Sequence, residues 1–200
     1  MGIRSLSAAS ISTGAKRSKF WDQSSVILTG AYESIGTITL TSSQAALEFT
    51  SIPQTYKHLQ LRGLFRSDYG TGAGGYLELN GNASGTYRSH AFYMTGNGSV
   101  GSYGSGALST GMYMGYDTGV SSPADTFGIQ IIDILDYTNT NKNRVVKIYS
   151  GKSTNNTGGG NQLTGGLYVS TTAITSLKFK FGGAAQWVAG TTVALYGIKG

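Results

Sequence analysis

Short stretches in which apolar and polar residues alternate are the feature of this sequence that most restricts its fold. Thr37–Leu40, Leu59–Arg62 and Lys178–Phe181 each alternate, and turn-forming glycine, asparagine and serine residues separate such stretches along the chain. A period of two puts successive side chains on opposite faces of a β-strand, one face buried and the other wet. Helix-forming residues do not recur at the i, i+3, i+4 spacing of an amphipathic helix. The sequence therefore predicts an all-β fold.

The candidate strands follow one another at short intervals. They are Thr37–Leu40, Leu47–Ile52, Leu59–Phe65, Tyr76–Leu79, Tyr87–Met94, Leu108–Tyr116, Phe127–Leu135, Val145–Ser150, Leu167–Ser170, Ile174–Phe181 and Thr192–Ile198. Regular short strands with turn signals between them favour an antiparallel sandwich or barrel over an α/β fold. Phe127–Leu135 is the most apolar of them, and we expect a central strand that is buried on both faces for part of its length.

Glycine-rich stretches predict the loops. Gly70–Gly75, Gly96–Gly106 and Ser153–Gly160 are low in complexity, and we expect long loops at the ends of the sandwich, with Gly70–Gly75 a flexible one. Gly70–Gly75 is followed neither by Lys-Ser/Thr nor by a helix start, which argues against a phosphate-binding loop. Asn80-Gly81 predicts a tight turn.

The first 30 residues differ from the rest in charge and pattern. Residues 1–21 hold four basic residues and no acidic residue, whereas the whole chain carries a formal charge of +6. We predict an extended basic N-terminal arm over residues 1–30 and a sandwich domain over residues 31–200. The arm's candidate partner-anchoring residues are Arg4, Lys16, Arg17, Lys19, Phe20 and Trp21. A disordered tail, or a first strand packed on its own domain, are the alternatives.

The arm's basic residues are compatible with two kinds of partner. Polybasic arms contact nucleic acid, or they lie along an acidic protein surface with aromatic side chains as anchors. The adjacent Phe20 and Trp21 favour a protein partner, and the nearly neutral remainder of the chain argues against a broad nucleic-acid face. No apolar run approaches the roughly 20 residues of a membrane span, and no secretory signal is visible.

Few residues offer catalytic chemistry. The chain has no cysteine and only two histidines, His58 and His90, which excludes thiolate sites and three-histidine metal sites. We expect both histidines to be structural or surface residues. Asp133 and Asp136 are three apart, so on one strand they would face opposite ways, and alternation puts Glu78 on a solvent face. The sequence therefore predicts a non-enzymatic protein with no cofactor and no metal.

Tyrosines near the glycine-rich loops are candidate loop contacts. Tyr69, Tyr103, Tyr113 and Tyr116 could bind sugars by ring stacking and hydrogen bonding, as an adhesin would. Tyrosine is also an ordinary strand residue, so this pattern is compatible with a purely structural role.

Five phrases of the sequence resemble one known family when they are taken together. They are Tyr32–Ile35, Phe49–Arg62, Leu79–Asn82, Ile131–Lys142 and Val193–Lys199. The chain from about residue 31 to residue 200 is similar to virion structural proteins of tailed phages, which are common in marine and cyanobacterial viruses. The resemblance implies a jelly-roll-like sandwich and a virion component, and it supplies no catalytic residues.

The resemblance and the predicted arm lead to one expected function and two alternatives. We expect an outer-capsid decoration (cement) protein, a homotrimer on the particle surface, made in the host bacterial cytoplasm. Its partners would be the major capsid protein or other virion proteins. The first alternative is a tail-fibre, baseplate or receptor (glycan)-binding module. The second is a polysaccharide-degrading enzyme, which the shortage of paired acids disfavours.

Overall fold

Every regular element of the described chain is a β-strand. The computed structural model describes residues 31–200 apart from 71, 73 and 155–157. Its strands are β1 (Tyr32–Thr39), β2 (Ala46–Phe49), β3 (His58–Phe65), β4 (Tyr76–Leu79), β5 (Tyr87–Thr95), β6 (Val100–Leu108), β7 (Met112–Tyr113), β8 (Gly128–Ile134), β9 (Arg144–Lys152), β10 (Gly160–Tyr168), β11 (Leu177–Lys180) and β12 (Thr192–Ile198). The predicted arm, residues 1–30, lies outside the described residues.

The strands form two antiparallel sheets that pack as a sandwich. The large sheet has the order β1-β12-β3-β8-β9-β10-β5-β6, and the small sheet has the order β2-β11-β4-β7. Both sheets contribute buried side chains to one hydrophobic cluster. The prediction of an all-β, antiparallel, jelly-roll-like sandwich is therefore confirmed.

The connectivity contains a jelly roll with two inserted hairpins. Taken in chain order, β1, β2, β3, β4, β7, β8, β11 and β12 are eight strands. In the large sheet, β1, β12, β3 and β8 are neighbours in that order, and they are the first, eighth, third and sixth of these strands. The small sheet has the order β2, β11, β4 and β7, which are the second, seventh, fourth and fifth. This is the jelly-roll arrangement, in which the first strand pairs with the last. We call these eight strands the jelly-roll part.

The two insertions enlarge one side of the large sheet. Hairpin β5–β6 lies between β4 and β7 in sequence, hairpin β9–β10 lies between β8 and β11, and the two pair with each other through β10 and β5. We call these four strands the extension. They continue the large sheet beyond β8 to a free edge at β6.

The core of the jelly-roll part follows directly from alternation. Leu59, Leu61 and Phe65 of β3 face inward, while Arg62 and Leu64 between them are exposed. Trp187 is fully buried at one end of this core, with its ring 5.0 Å from that of Phe65 and its indole N–H donating to the Phe179 carbonyl over 3.1 Å. Burying such rings is the largest single contribution that a side chain makes to a core.

Residues 111–119 cover the inner face of the extension. Met112 and Met114 are fully buried, and a side chain at Gly166 would meet the Met112 sulfur at 1.9 Å. Polar side chains lie beneath this segment. Gln162 donates to the Tyr103 hydroxyl over 3.0 Å and to Thr164 Oγ1 over 2.8 Å. The interior of the extension is thus partly hydrogen-bonded rather than wholly apolar.

Part of the glycine-rich stretch Gly70–Gly75 packs closely against another segment of the chain, at Gly72, Gly74 and Gly75. Gly74 and Gly75 are buried, and a Cβ on Gly74, which has a φ of +63°, would lie 2.0 Å from the Gly115 carbonyl oxygen. A Cβ on Gly119 would lie 2.2 Å from the carbonyl oxygens of Tyr69 and Gly70. Only glycine permits backbones to approach so closely. The glycines at these positions therefore allow the loop after β3 to contact residues 115–119.

Strand predictions fail where glycine replaces the alternating apolar residues. Gly96–Gly106 is a predicted loop, but Val100–Leu108 forms β6. Seven of the nine residues of β10, Gly160–Gly166, lie outside the predicted strand Leu167–Ser170 and are likewise missed. Of the predicted strand Leu108–Tyr116, only Leu108, at the end of β6, and Met112–Tyr113 belong to strands. These stretches are extended because their backbones hydrogen-bond to a neighbouring strand, and the pattern of side chains does not indicate that pairing.

The predicted burial of two strands also needs correction. β8 is central in the large sheet but is buried on one face only, because Ile129 is 43% exposed on the other. Glu78 of β4 faces away from Leu77 and Leu79 as alternation predicts, yet it is only 4% exposed and forms an ion pair with Lys180. Alternation gives the face on which a side chain lies but does not tell what covers that face.

Candidate functional site

The outer face of the large sheet carries a continuous band of apolar side chains. We call it the apolar band, and its members are Leu64, Phe92, Met94, Val100, Ile129, Ile131, Tyr149 and Leu163. Six of them are large and exposed, from 39% for Tyr149 to 76% for Val100. A patch of this kind on a folded chain is a marker of an interaction surface.

The strand register explains why these side chains are adjacent. Ile131, Tyr149, Leu163 and Phe92 form one row across β8, β9, β10 and β5. The next row runs Leu64, Ile129, Gly151, Asn161, Met94 and Val100 across β3, β8, β9, β10, β5 and β6. Directly opposed side chains on one face of a sheet have Cβ atoms about 5 Å apart, so the first row is continuous. In the second row, Gly151 and Asn161 separate the apolar pair Leu64 and Ile129 from the apolar pair Met94 and Val100.

A groove lined by glycines runs beside the apolar band. Gly104, Gly106 and Gly165 face outward on β6 and β10, with Val145 and Leu167 along its side. A Cβ at Gly165 would meet nothing closer than 3.9 Å, so packing within this chain does not require glycine there. A glycine in a strand that packing within the chain does not require is typical of a place where another backbone or a ligand approaches closely.

The four candidate tyrosines separate into two groups. Tyr69 is 58% exposed in the loop after β3. Tyr103 and Tyr113 lie in strands β6 and β7, and their ring centroids are 6.1 Å apart in an edge-to-face contact. Burial raises the pKa of both hydroxyl groups. The two strand tyrosines are therefore half-buried members of an aromatic cluster, whereas Tyr69 is presented to solvent.

Tyr116 lines a pocket at the rim of the extension. The pocket also contains Tyr93, Asn97 and Lys152, and its lining is both polar and apolar. The Lys152 ammonium lies 5.5 Å from the centroid of the Tyr116 ring, and partial burial lowers the pKa of Lys152. Rings beside an amide and an ammonium are a chemistry that suits a hydroxyl-rich ligand. Sequence reasoning selected Tyr116 but missed Tyr93, Asn97 and Lys152.

A buried carboxylate joins the two glycine-containing segments below this rim. Asp117 is fully buried, and its Oδ1 accepts from the Gly74 N–H over 2.6 Å, while its Oδ2 has no hydrogen-bond partner. Desolvation raises the pKa of the Asp117 carboxyl, and the hydrogen bonds from Gly74 and Ser67 oppose that rise. Since Asp117 holds Gly74 against residues 115–119, its local role is structural.

The acidic residues considered for catalysis have basic or amide partners. Asp133 accepts from Gln60 Nε2 over 2.7 Å and lies 3.3 Å from the Lys147 ammonium. Asp136 lies beyond the end of β8, where ion pairs with Lys142 and Lys57 lower the pKa of its carboxyl to about 2. Neither arrangement resembles a pair of acids flanking a substrate.

The two histidines have different surroundings. His58 begins β3, and its Nδ1 accepts from the Asp136 backbone N–H over 2.9 Å, which ties the turn after β8 to β3. His90 is exposed on β5 and lines the glycine groove. The described residues hold no cluster of three or more histidine, aspartate or glutamate side chains that could bind a metal ion.

The predicted arm residues cannot be placed in this site. Arg4, Lys16, Arg17, Lys19, Phe20 and Trp21 all lie outside the described residues. Within residues 31–200, apart from 71, 73 and 155–157, no helix is long and apolar enough to cross a membrane.

Comparisons with protein-family models, curated proteins and solved structures give no match for this chain.

Proposed function

We propose that this protein is a non-enzymatic structural component of a tailed-phage particle, an outer-capsid decoration protein that docks through the outer face of its extension. The observation that carries the proposal is the apolar band, with Phe92 and Val100 exposed by 59% and 76%. Leaving such side chains in water is unfavourable by about 25 cal/mol per Å² of apolar area, and docking on a partner removes that cost. The sequence resemblance to phage virion proteins supports the choice of partner.

The glycine groove adds a second element to the docking surface. Its outward glycines leave room beside the band for a partner's backbone, with Arg88 and His90 at its margin. Interfaces combine an apolar centre with a polar rim, and this arrangement matches that pattern. The predicted arm would add contacts at neighbouring subunits of the shell, and each added contact raises the avidity.

Binding of the purified full chain to particles stripped of it tests the docking surface. We expect the double variant Phe92→Ser, Val100→Ser to bind at least tenfold more weakly than the unmodified chain. The matched control is Val120→Ser, Leu135→Ser, which removes two exposed apolar side chains outside the band. Equal binding by both double variants would rule out the band as the docking surface.

The position on the particle and the arm require separate measurements. Cryo-electron microscopy of intact particles should show density for the sandwich on the capsid surface, and density confined to the tail would overturn the decoration role. Deletion of residues 1–25 should leave a folded sandwich that no longer binds particles. Full binding by that truncated chain would show that the arm is not an anchor.

The rim pocket favours a second candidate function, recognition of a glycan by a tail or receptor-binding module. Tyr93 and Tyr116 offer aromatic rings, and Asn97 and Lys152 offer hydrogen-bond donors in the same pocket. A glycan array probed with the full chain separates the two functions. Specific binding that Tyr116→Ala abolishes would support recognition of sugars, and an array without signal would leave the decoration role alone.

A further inference from the structure

Among the described residues, strand β6 ends the large sheet on one side, and most of its length lacks the usual protection of a sheet edge. It is the last strand of the large sheet, and its nine residues, Val100–Leu108, include no charged residue and no proline. The opposite edge strand, β1, carries Glu33 and a bulge between Ser34 and Gly36. Charges, prolines and bulges are the usual protection of sheet edges against pairing with another chain. β6 also has an extra residue between Ser105 and Leu108, where Ala107 has a φ of +55°. Its stretch Val100–Ser105 has none of these protections, whereas β1 has both a charge and a bulge.

The hairpin geometry tells which backbone groups of β6 face outward. Thr95 donates its N–H to the Ser99 carbonyl over 2.9 Å, so these two residues form a hydrogen-bonded pair. Because such pairs alternate with non-hydrogen-bonded pairs along an antiparallel ladder, Gly101 and Tyr103 bond to β5. The N–H and C=O groups of Val100, Ser102 and Gly104 then point to the free edge.

We propose that β6 pairs with β6 of a second copy of this chain, antiparallel about a two-fold axis at Ser102. In this register Ser102 lies opposite its own symmetry mate, and Val100 lies opposite Gly104 in both directions. The outward groups of these three residues would form about six hydrogen bonds between the copies. The two large sheets would become one continuous sheet.

Side-chain size and charge favour a second copy as the occupant. On the inner face the register sets Tyr103 opposite Gly101, and on the outer face it sets Val100 opposite Gly104, so a large residue meets a glycine each time. Arg88, the basic residue beside Gly106, would lie roughly 27 Å along the strand direction from its mate, at about 3.4 Å per residue. Self-pairing therefore opposes no like charges.

This contact goes beyond the proposed function, because it needs no particle. It leaves the outer face uncovered and brings the apolar bands of two copies onto the same side of the joined sheet. An isologous contact closes as a dimer, so the inference replaces the trimer expected from the sequence by a two-fold pair.

The mass of the full chain in solution tests the pairing. We expect the unmodified protein to sediment at twice its chain mass of 20.9 kDa. Ser102→Lys and Ser102→Glu should each raise the dimer dissociation constant at least tenfold, because two like charges then face each other across the axis. An equimolar mixture of these two variants should regain the dimer as a heterodimer, since opposite charges now meet.

Matched substitutions at Ser42 distinguish pairing at β6 from a general effect of added charge. Ser42→Lys and Ser42→Glu introduce the same charges at another exposed serine and should leave the dimer unchanged. A monomeric or trimeric unmodified chain would overturn the proposal, and so would single Ser102 variants that remain dimeric or a mixture that stays monomeric. Particle binding is measured separately, so a dimer that fails to bind particles would contradict only the proposed function.

Discussion

The jelly-roll part and the extension differ in how polar and apolar residues are distributed over the two faces of the large sheet. On β3 and β12 of the jelly-roll part, Leu61 and Leu195 face inward and Arg62 and Thr192 face outward. On β10 and β5 of the extension, polar Gln162, Thr164 and Ser89 face inward, and Leu163, Phe92 and Met94 face outward. One sheet thus changes its polarity pattern along its width.

This difference separates stability from interaction within one sheet. The jelly-roll part buries Leu59, Leu61, Leu77 and Leu79, and Trp187 lies in the same cluster, where the hydrophobic contribution to folding is largest. The extension adds Tyr87, Val146, Ile148 and Tyr168 to the common cluster, but it also has hydrogen-bonded polar side chains in its interior and leaves large apolar side chains exposed to a partner. The following substitutions test that separation.

The largest contrast is expected between Trp187→Ala and Phe92→Ala. Trp187 packs 4.2 Å from the Phe181 ring and is fully buried, so its removal should destabilise the protein by about 3–5 kcal/mol. Phe92 is 59% exposed, and its removal should change the free energy of unfolding by less than about 1 kcal/mol. Urea unfolding followed by far-UV circular dichroism measures the free energy of unfolding of both variants. Similar losses of stability in the two would contradict the separation of stability from interaction.

Two adjacent glycines of β10 offer a matched pair with a smaller effect. Gly166→Val drives a side chain into Met112 on the inner face and should destabilise the protein by about 1–3 kcal/mol. Gly165→Val fills only the outer groove, so it should leave stability within about 0.5 kcal/mol and weaken particle binding. Denaturation midpoints and binding assays on both variants decide this. A stable Gly166→Val protein would mean that residues 111–119 do not press on the extension as described.

The ionised carboxyl of Asp136 should stabilise the folded protein at neutral pH but not in strong acid. Its pKa in the folded protein is about 2, below the ordinary 3.8, so its ion pairs with Lys142 and Lys57 contribute above pH 3.8. That contribution is lost as the pH falls through about 2, because the carboxyl then becomes protonated. Asp136→Asn should therefore be less stable at pH 7 and match the unmodified chain near pH 2. Equal stability at pH 7 would contradict the role of the ion pairs.

Asp117, beneath the rim of the extension, should show the opposite and smaller pH dependence. Burial raises its pKa above 3.8, so the folded protein holds this proton more tightly than the unfolded chain does. The contribution of Asp117 to the free energy of unfolding is then fully present below pH 3.8, and it is lost as the pH rises through the pKa of Asp117 in the folded protein. Asp117→Asn should remove that decline and gain stability at pH 7. Thermal unfolding at several pH values measures it, and a loss at every pH would show that the charge itself is required.

Alternation predicted the jelly-roll part well because its inward leucines make the period visible. The bounds of β4 and β12 agree with their predicted stretches, Tyr76–Leu79 and Thr192–Ile198. β6 was missed because Gly101, Gly104 and Gly106 carry no side chain that could show a period, and its strand character comes from pairing with β5. Asn80-Gly81 does form the predicted turn, with positive φ at both residues.

The candidate site was less visible in the sequence because it depends on register. Phe92 and Tyr149 are far apart in sequence, and only the pairing of β10 with both β5 and β9 puts them in one row. The sequence predicts that the strand containing Ile129 and Ile131 is buried on both faces for part of its length, because apolar residues usually are buried, and no local pattern indicates an apolar face that is exposed to water. The outward position of Gly165 likewise becomes informative only when its open surroundings are known.

The joining of the two hairpins has a consequence for how the chain folds. Each hairpin, β5–β6 and β9–β10, is local in sequence and can form in microseconds. Their union through β10 and β5 joins two hairpins that β7 and β8 separate in sequence, and such distant pairings form slowly. The β5–β6 hairpin therefore forms early but joins the large sheet late, and during that interval the edge of β6 can pair with a neighbouring nascent chain.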